Sequence, residues 1–243
     1  MYVLIVILVA LAVYGFLIEP YWIAVRRIQL GSEPTLRVVH LSDLHYWGNR
    51  AYLRKVVRLV NAERPDAVCI TGDFVFWSRH LPGLLEQLSG LSAPIFAVTG
   101  NWDHWSEADI SRLAEFCARS GGRLLSDESV QLAGREVTLS GAAGEAVDWL
   151  PEPSGKRILL VHYPMFVVKL GDSRFDLVLA GHSHGGQVRL PVIGAFAVPR
   201  GTGRYSYGLY NLPAGVLYVT SGVGTSLLPF RLNCRPEIAV IEL

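Results

Sequence analysis

A layered α/β domain behind an N-terminal apolar segment is the fold class that this sequence predicts. Three observations predict it. Strand-like and helix-like runs alternate between residues 36 and 120, strand-like runs dominate after residue 130, and residues 2–18 carry no charge. Alternating strands and helices imply helices packed on a sheet, and a β-rich second half makes the architecture a layered sandwich. At 243 residues the chain is long enough for one domain with a full core. Its composition, 51% hydrophobic and 18% charged, is on the apolar side of soluble proteins. A formal net charge of +1 leaves no basic field for nucleic acid. Cys69, Cys117 and Cys234 are an odd, scattered set and read as small buried hydrophobes, which suits a reducing compartment.

Residues 2–18 read YVLIVILVALAVYGFLI. As a helix this run reaches about 25 Å, the short end of a bilayer span. Pro20, Tyr21 and Trp22 follow it, as suits a helix end at a membrane interface. Arg26 and Arg27 come next, with no Lys or Arg before the run, so the positive-inside rule places the body in the cytoplasm. The rival readings are a signal peptide cleaved near Ala10-Leu11-Ala12, which lacks a basic leading region, and a buried core helix. The division expected is an anchor with its interfacial segment over 1–27 and a domain over 35–243.

Residues 36–42 are the first strand. In 49–64, Leu53, Val56, Val57 and Val60 recur at helical spacing with arginines between them, predicting a surface helix. Residues 66–71 are a strand, 81–91 a helix starting near Pro82, and 94–99 a strand. Ser106 is expected to cap a helix running to 120, stopped by Gly121-Gly122. The break at Ala133-Gly134-Arg135 predicts a hairpin within 131–139, and 144–156 reads as a loop. Strands follow at 157–161 and 175–180, with a helix near 163–170 between them, then strands at 187–190, 215–220 and 237–243.

Five of these strands end in residues that bind metals. They lead into Asp43-Leu44-His45, Gly72-Asp73, Gly100-Asn101, His162 and Gly181-His182-Ser183-His184-Gly185. Ordinary solvated turns supply one or two such residues, not all five in this order. Strand ends are also where α/β proteins place their chemistry. Mixed nitrogen and oxygen donors suit Mn, Fe or Zn better than Ca or Mg. His40, inside the first strand, reads as a core or supporting histidine rather than a ligand.

The order D-x-H, G-D, G-N, H, G-H-x-H, with LSDLH, TGDFV and GHSHGGQVRLP around it, resembles the calcineurin-like metallophosphoesterase family. The similarity runs over about 35–243 and is greatest to a membrane-anchored bacterial branch. The resemblance implies a four-layer αββα sandwich of two mixed sheets, with metals at the sheet-edge loops. It also implies two divalent ions, manganese first among them, bridged by Asp73. Asp43, His45 and His184 would complete one site, and Asn101, His162 and His182 the other. Two such ions activate water and clamp a phosphoryl group for in-line attack, so no protein nucleophile is needed. One member type of the branch cleaves UDP-2,3-diacylglucosamine to lipid X and UMP in lipid A biosynthesis, and that substrate is an expectation here.

One departure stands out. The family motif is G-N-H-D or G-N-H-E, and this chain has Gly100-Asn101-Trp102-Asp103-His104. Indole cannot act as an acid at neutral pH. His104 is therefore the candidate substitute, beside Asp73 and Asn101, unless the leaving group needs no acid or activity has been lost. On the substrate side, Arg189, Arg200, Arg204 and Arg231 are candidates to pair with phosphate. The apolar runs 191–199 and 226–230 read as a lipid-facing lip beside the site. The function expected is hydrolysis of a membrane-lipid-linked phosphoester or pyrophosphate at the inner membrane. The alternatives are a broad phosphodiesterase on phospholipids or nucleotides, and a metal-binding scaffold without activity. No nucleic-acid partner is expected, and the sequence does not define an oligomeric state.

Overall fold

A computed structural model describes residues 2–143 and 155–243. The loop expected at 144–156 therefore lies, over 144–154, outside the described residues. The apolar N-terminus is helical: α1 (Tyr2–Val13) continues through a wider turn at Tyr14–Ile18 and a tighter one at Glu19–Tyr21. Together they make an apolar helix of 20 residues, long enough to cross a membrane. No residue of α1 is buried against the body, which removes the core-helix alternative.

Next comes a strand that the sequence reading did not assign, β1 (Ala24–Gln29), lying across the division expected at residue 27. It pairs in parallel with β14 (Glu237–Glu242), so this segment is part of the body's first sheet. The rest of that sheet is β2 (Arg37–Leu41), β3 (Ala67–Thr71), β4 (Ile95–Val98) and β5 (Arg123–Leu124), in the order β1-β14-β2-β3-β4-β5. Only β14 against β2 is antiparallel. The second sheet has β6 (Glu128–Gln131), β7 (Val137–Ala142), β8 (Lys156–Val161), β9 (Leu177–Ala180), β12 (Gly208–Leu212) and β13 (Gly215–Val219), in the order β12-β13-β9-β8-β7-β6. Between β9 and β12 in sequence, β10 (Arg189–Leu190) and β11 (Gly194–Ala195) form a small separate hairpin.

Val38, Cys69 and Phe96 of the first sheet meet Leu139, Ile158, Leu160, Leu177 and Leu179 of the second in the central core. The outer face of the first sheet is covered by α2 (Arg50–Ala62), α3 (Leu81–Leu88) and α5 (Ile110–Arg119). The predicted stripe Leu53, Val56, Val57 and Val60 is the buried face of α2, and Asn49 caps its first turn by accepting from the Tyr52 N–H. The outer face of the second sheet is covered by a short 3₁₀ segment, Pro164–Lys169, where the sequence implied a helix. The expected architecture of two mixed sheets between outer layers is what the chain forms.

One helix boundary differs. Residues 101–120 are two helices, α4 (Asn101–Trp105) and α5, and Ser106 ends the first. Asp109 caps the second, accepting from the Arg112 N–H, because its carboxylate rather than the Ser106 hydroxyl faces the free N–H groups of α5.

At the base of α1 the chain is locked to the body. The Glu19 carboxylate is fully buried and accepts from the backbone N–H groups of Asn233 (2.8 Å) and Cys234. The Arg231 N–H donates to the Gly15 carbonyl (2.9 Å), and Phe16 packs on Phe230 at 4.7 Å. Gly15 is required there, since a Cβ would fall 2.1 Å from the Phe230 ring.

Candidate metal centre

Parallel neighbours β2, β3 and β4 end side by side, and so do β8 and β9 of the facing sheet. Their C-terminal loops converge at one edge of the sandwich. This topology gathers Asp43, His45, Asp73, Asn101, His162, His182 and His184 within one buried patch. Two clusters form, Asp43 with His45 and His184, and Asp73 with His162 and His182, each with its ligand atoms within 4.8 Å of one another. Asp73 stands between them: its Oδ2 is 3.4 Å from His45 Nε2 and 3.5 Å from His162 Nε2.

The hydrogen bonds show which atoms carry lone pairs. His162 Nδ1 donates to the Thr71 carbonyl (2.7 Å), and His182 Nε2 donates to the Arg200 carbonyl (2.6 Å). With both rings neutral, His162 Nε2 and His182 Nδ1 are the acceptors; they lie 3.1 Å apart, and the Asn101 carbonyl oxygen is 3.1 Å from His162 Nε2. Lone pairs brought this close are what a bound cation would reconcile, which makes these residues a candidate ligand set. In the other cluster His45 Nε2 and His184 Nε2 face each other at 3.0 Å, with Asp43 Oδ1 3.5 Å from the latter.

Electrostatics agree. Burial raises the Asp43 carboxyl to about 7 and holds that of Asp73 well above the usual carboxylate range, with Asp103 adding to the second shift. The same burial lowers His45 to about 3 and His182 to about 4, and takes His184 well below its ordinary value. Those three imidazoles are thus neutral, the form that binds metal, and a divalent cation would keep such carboxylates ionised. Asp43, His45, Asp73, His182 and His184 all adopt positive φ, between 37° and 64°. Left-handed backbone in non-glycine residues costs energy and collects at functional loops. The flanking glycines let the loops close: a Cβ on Gly100 would sit 2.2 Å from Asp73 Oδ1, and one on Gly181 would sit 1.8 Å from Ser42 Oγ.

Sequence reasoning missed Asp103. Its buried carboxylate accepts from the N–H groups of Asp73 (2.9 Å), Phe74 (2.8 Å) and Gly100 (2.9 Å), binding two ligand loops together. Its position three residues after Gly100, opening a helix, was the available signal. His40 is a supporting core residue, bonded to Thr71 Oγ1 at 2.8 Å. The three cysteines are free and buried, as expected.

Over the metal patch lies a cleft of 350 Å3. Trp102 and Trp105 border it on one side, Ala197, Val198 and Pro199 on another, and Ser226 and Leu227 on a third. Trp102 packs edge-on to His45 (5.4 Å) and against Phe76 (4.5 Å), while its backbone N–H holds Asp73 Oδ1 at 2.8 Å. His104 points elsewhere: it is exposed, bonds to Thr99 Oγ1 and does not line the cleft.

The candidate phosphate-binding arginines do not converge on the cleft. Arg231 requires a correction: it is fully buried, and its guanidinium donates to the carbonyls of Ser221, Gly222, Gly224 and Cys234. It braces the loop beneath the site and has no face left for a substrate. Arg189 donates to the Gly185 carbonyl (2.9 Å) and lies over Tyr207, while Arg204 is exposed over Tyr205.

Comparisons with known proteins agree with this geometry. Residues 36–186 match the family model described as calcineurin-like phosphoesterase. The chain is 31% identical to phosphodiesterase YaeI of Escherichia coli K12, over 93% of this chain and 90% of that one. It is 29% identical to the uncharacterized metallophosphoesterase YkuE of Bacillus subtilis 168, over 85% and 78% of the two chains. It is 30% identical to a transmembrane protein with a metallophosphoesterase domain from Danio rerio, over 98% of this chain and 61% of that one. Among solved structures, TT1561 of Thermus thermophilus shares the fold with a TM-score of 0.51 at 16% identity, over 77% of this chain and 90% of that one.

Proposed function

The chain belongs to the calcineurin-like phosphoesterase family, and from that premise we propose that this metal-dependent phosphoester hydrolase acts on a lipid-linked pyrophosphate or phosphodiester at the membrane that holds α1. The observation that carries the reading is a dinuclear ligand set at the floor of an apolar, aromatic-walled cleft, on a body locked to an apolar helix. UDP-2,3-diacylglucosamine, giving lipid X and UMP, is the specific substrate proposed, with manganese in both sites. The positive-inside pattern supports a body in the cytoplasm.

When bound, the two ions supply a polarised phosphoryl group and an activated water. The protein supplies the rest. The Trp102 N–H fixes Asp73 Oδ1, so that Oδ2 faces both clusters. The Thr71 and Arg200 carbonyls fix the tautomers of His162 and His182. Trp102, Trp105, Val198, Pro199 and Leu227 give the cleft its apolar lining.

No described residue lining the cleft, outside the ligand set, titrates near neutrality. An acid matters most when the leaving oxygen is basic, as in an alkyl alkoxide. A nucleoside or sugar phosphate leaves with its charge already spread, which supports a pyrophosphate substrate. Trp102→His is therefore expected to raise turnover of simple alkyl diesters more than that of a UDP-linked pyrophosphate, and His104→Ala to change either by less than about threefold. A loss of about a hundredfold in His104→Ala on every substrate would reject the leaving-group argument.

Turnover of bis-p-nitrophenyl phosphate with Mn²⁺ tests the reaction class. Mass spectrometry of a panel of UDP-sugar lipids and phospholipids tests the substrate, and release of phospholipid head groups instead would favour a broad phosphodiesterase. The full chain is expected to stay in the membrane pellet after alkaline carbonate. Recovery of a soluble form cut near residue 12 would return the signal-peptide reading.

A further inference from the structure

Among the described residues of the body, the four most exposed large apolar side chains, Val192, Ile193, Leu227 and Phe196, lie on two loops outside the metal-ligand set. Between β10 and β11 the turn carries Val192 and Ile193, 107% and 76% exposed, with Phe196 just beyond at 73%. Leu227 and Leu228, 75% and 62% exposed, form the tip of the second loop. Val192 also has a φ of 68°. A β-branched residue in that region is strained, and in water this one gains no packing in return. Single exposed apolar residues are ordinary, whereas a paired set at loop tips beside a site is not.

Both loops are tied to the base of α1. Arg189 N–H donates to the Leu232 carbonyl and Phe196 N–H to the Val188 carbonyl, while Val188 bridges to Leu232. The following residues, Asn233 and Cys234, are the ones held by Glu19. Leu228 is two residues from Phe230, which packs on Phe16 of the helix. At that same base, Arg235 lies over Trp22 at 4.2 Å and donates to its carbonyl, and Lys55 donates to the Tyr21 carbonyl. Aromatics with cations at a helix end are what sits at headgroup depth. The loop 225–229 borders both the metal cleft and a second recess of 160 Å3 lined by Trp47, Phe76 and Trp77.

We propose that the Val192-Ile193 turn and the Leu227-Leu228 tip insert into the bilayer interface, so that the mouth of the metal cleft rests on the lipid surface beside α1. The occupant of this surface is the membrane itself, because both loops are tied to the base of an apolar helix long enough to span it. The proposal rests on the reading of α1 as an anchor. It makes the lipid-linked substrate reachable by lateral entry, without withdrawal of its acyl chains into water.

Fluorescent labelling tests it on the full chain, since the three native cysteines are buried. Single cysteines at Leu8, Ile193, Leu228 and Arg119 would carry NBD, with the protein reconstituted in phosphatidylcholine–phosphatidylglycerol vesicles containing doxyl-labelled lipid. Arg119 is an exposed position on α5, serving as the water-phase control. Labels at 8, 193 and 228 are expected to shift to the blue and be quenched at least about twofold more than the label at 119. Quenching at 8 with 193 and 228 matching 119 would overturn the insertion while leaving the anchor intact. No quenching at 8 would overturn both.

Discussion

Asp73→Ala is expected to lose both metal ions, not one, and to turn over bis-p-nitrophenyl phosphate at least about a hundredfold more slowly. The reason is positional. Its Oδ2 lies 3.4 Å from a nitrogen of one cluster and 3.5 Å from a nitrogen of the other. Deleting it removes the shared ligand and one of the two carboxylate charges, Asp43 being the other, that would offset the cations. Asp43 stands in only one cluster, so Asp43→Ala should release chiefly one ion. Elemental analysis of the purified variants separates the two outcomes. Two ions per chain in Asp73→Ala would reject the bridge.

The second large effect concerns stability. Asp103→Ala leaves the buried N–H groups of Asp73, Phe74 and Gly100 without an acceptor. Each such orphan costs about 1–3 kcal/mol, and partial relaxation makes about 3–5 kcal/mol reasonable for the three. That is a large part of the roughly 5–15 kcal/mol that holds a domain folded. The melting temperature should fall by about 10 °C. Asp103→Asn should recover part of the loss, because one amide oxygen can still accept from both Asp73 and Gly100 while the NH₂ faces Phe74. A melting temperature for Asp103→Ala within about 1 °C of the parent would show that the carboxylate does not hold these loops.

The candidate ligand set was legible because each of its residues follows a strand, and parallel neighbours must end at the same edge. Spacing along the chain thus carried spatial information for Asp43, Asp73, Asn101, His162, His182 and His184. What was not legible shares one property: its partner is distant in sequence and not periodic. Arg231 resembles a solvated or phosphate-binding arginine until four carbonyls are seen around it. Glu19, next to an apolar run, gives no sign that it is buried against Asn233 and Cys234. Strand β1, AVRRIQ, is only half-buried along one edge, and its apolar alternation is too weak to identify it. His104 was placed by its closeness in sequence to Asn101, but the first turn of α4 carries it away from the cleft.

The position of β14 sets the order in which the molecule can be made. It is wedged between β1 and β2, and its pairing with β2 joins Arg37 to Glu242 across 205 positions. Until β14 has been made, both early strands present unpaired edges. Contacts of such range form late and leave the partial structure prone to wrong pairing. The Glu19 latch is likewise incomplete until Asn233 and Cys234 have been synthesised. With α1 as the proposed anchor, insertion of the helix would come before closure of the sheet, because β14 and the latch residues lie at the far end of the chain.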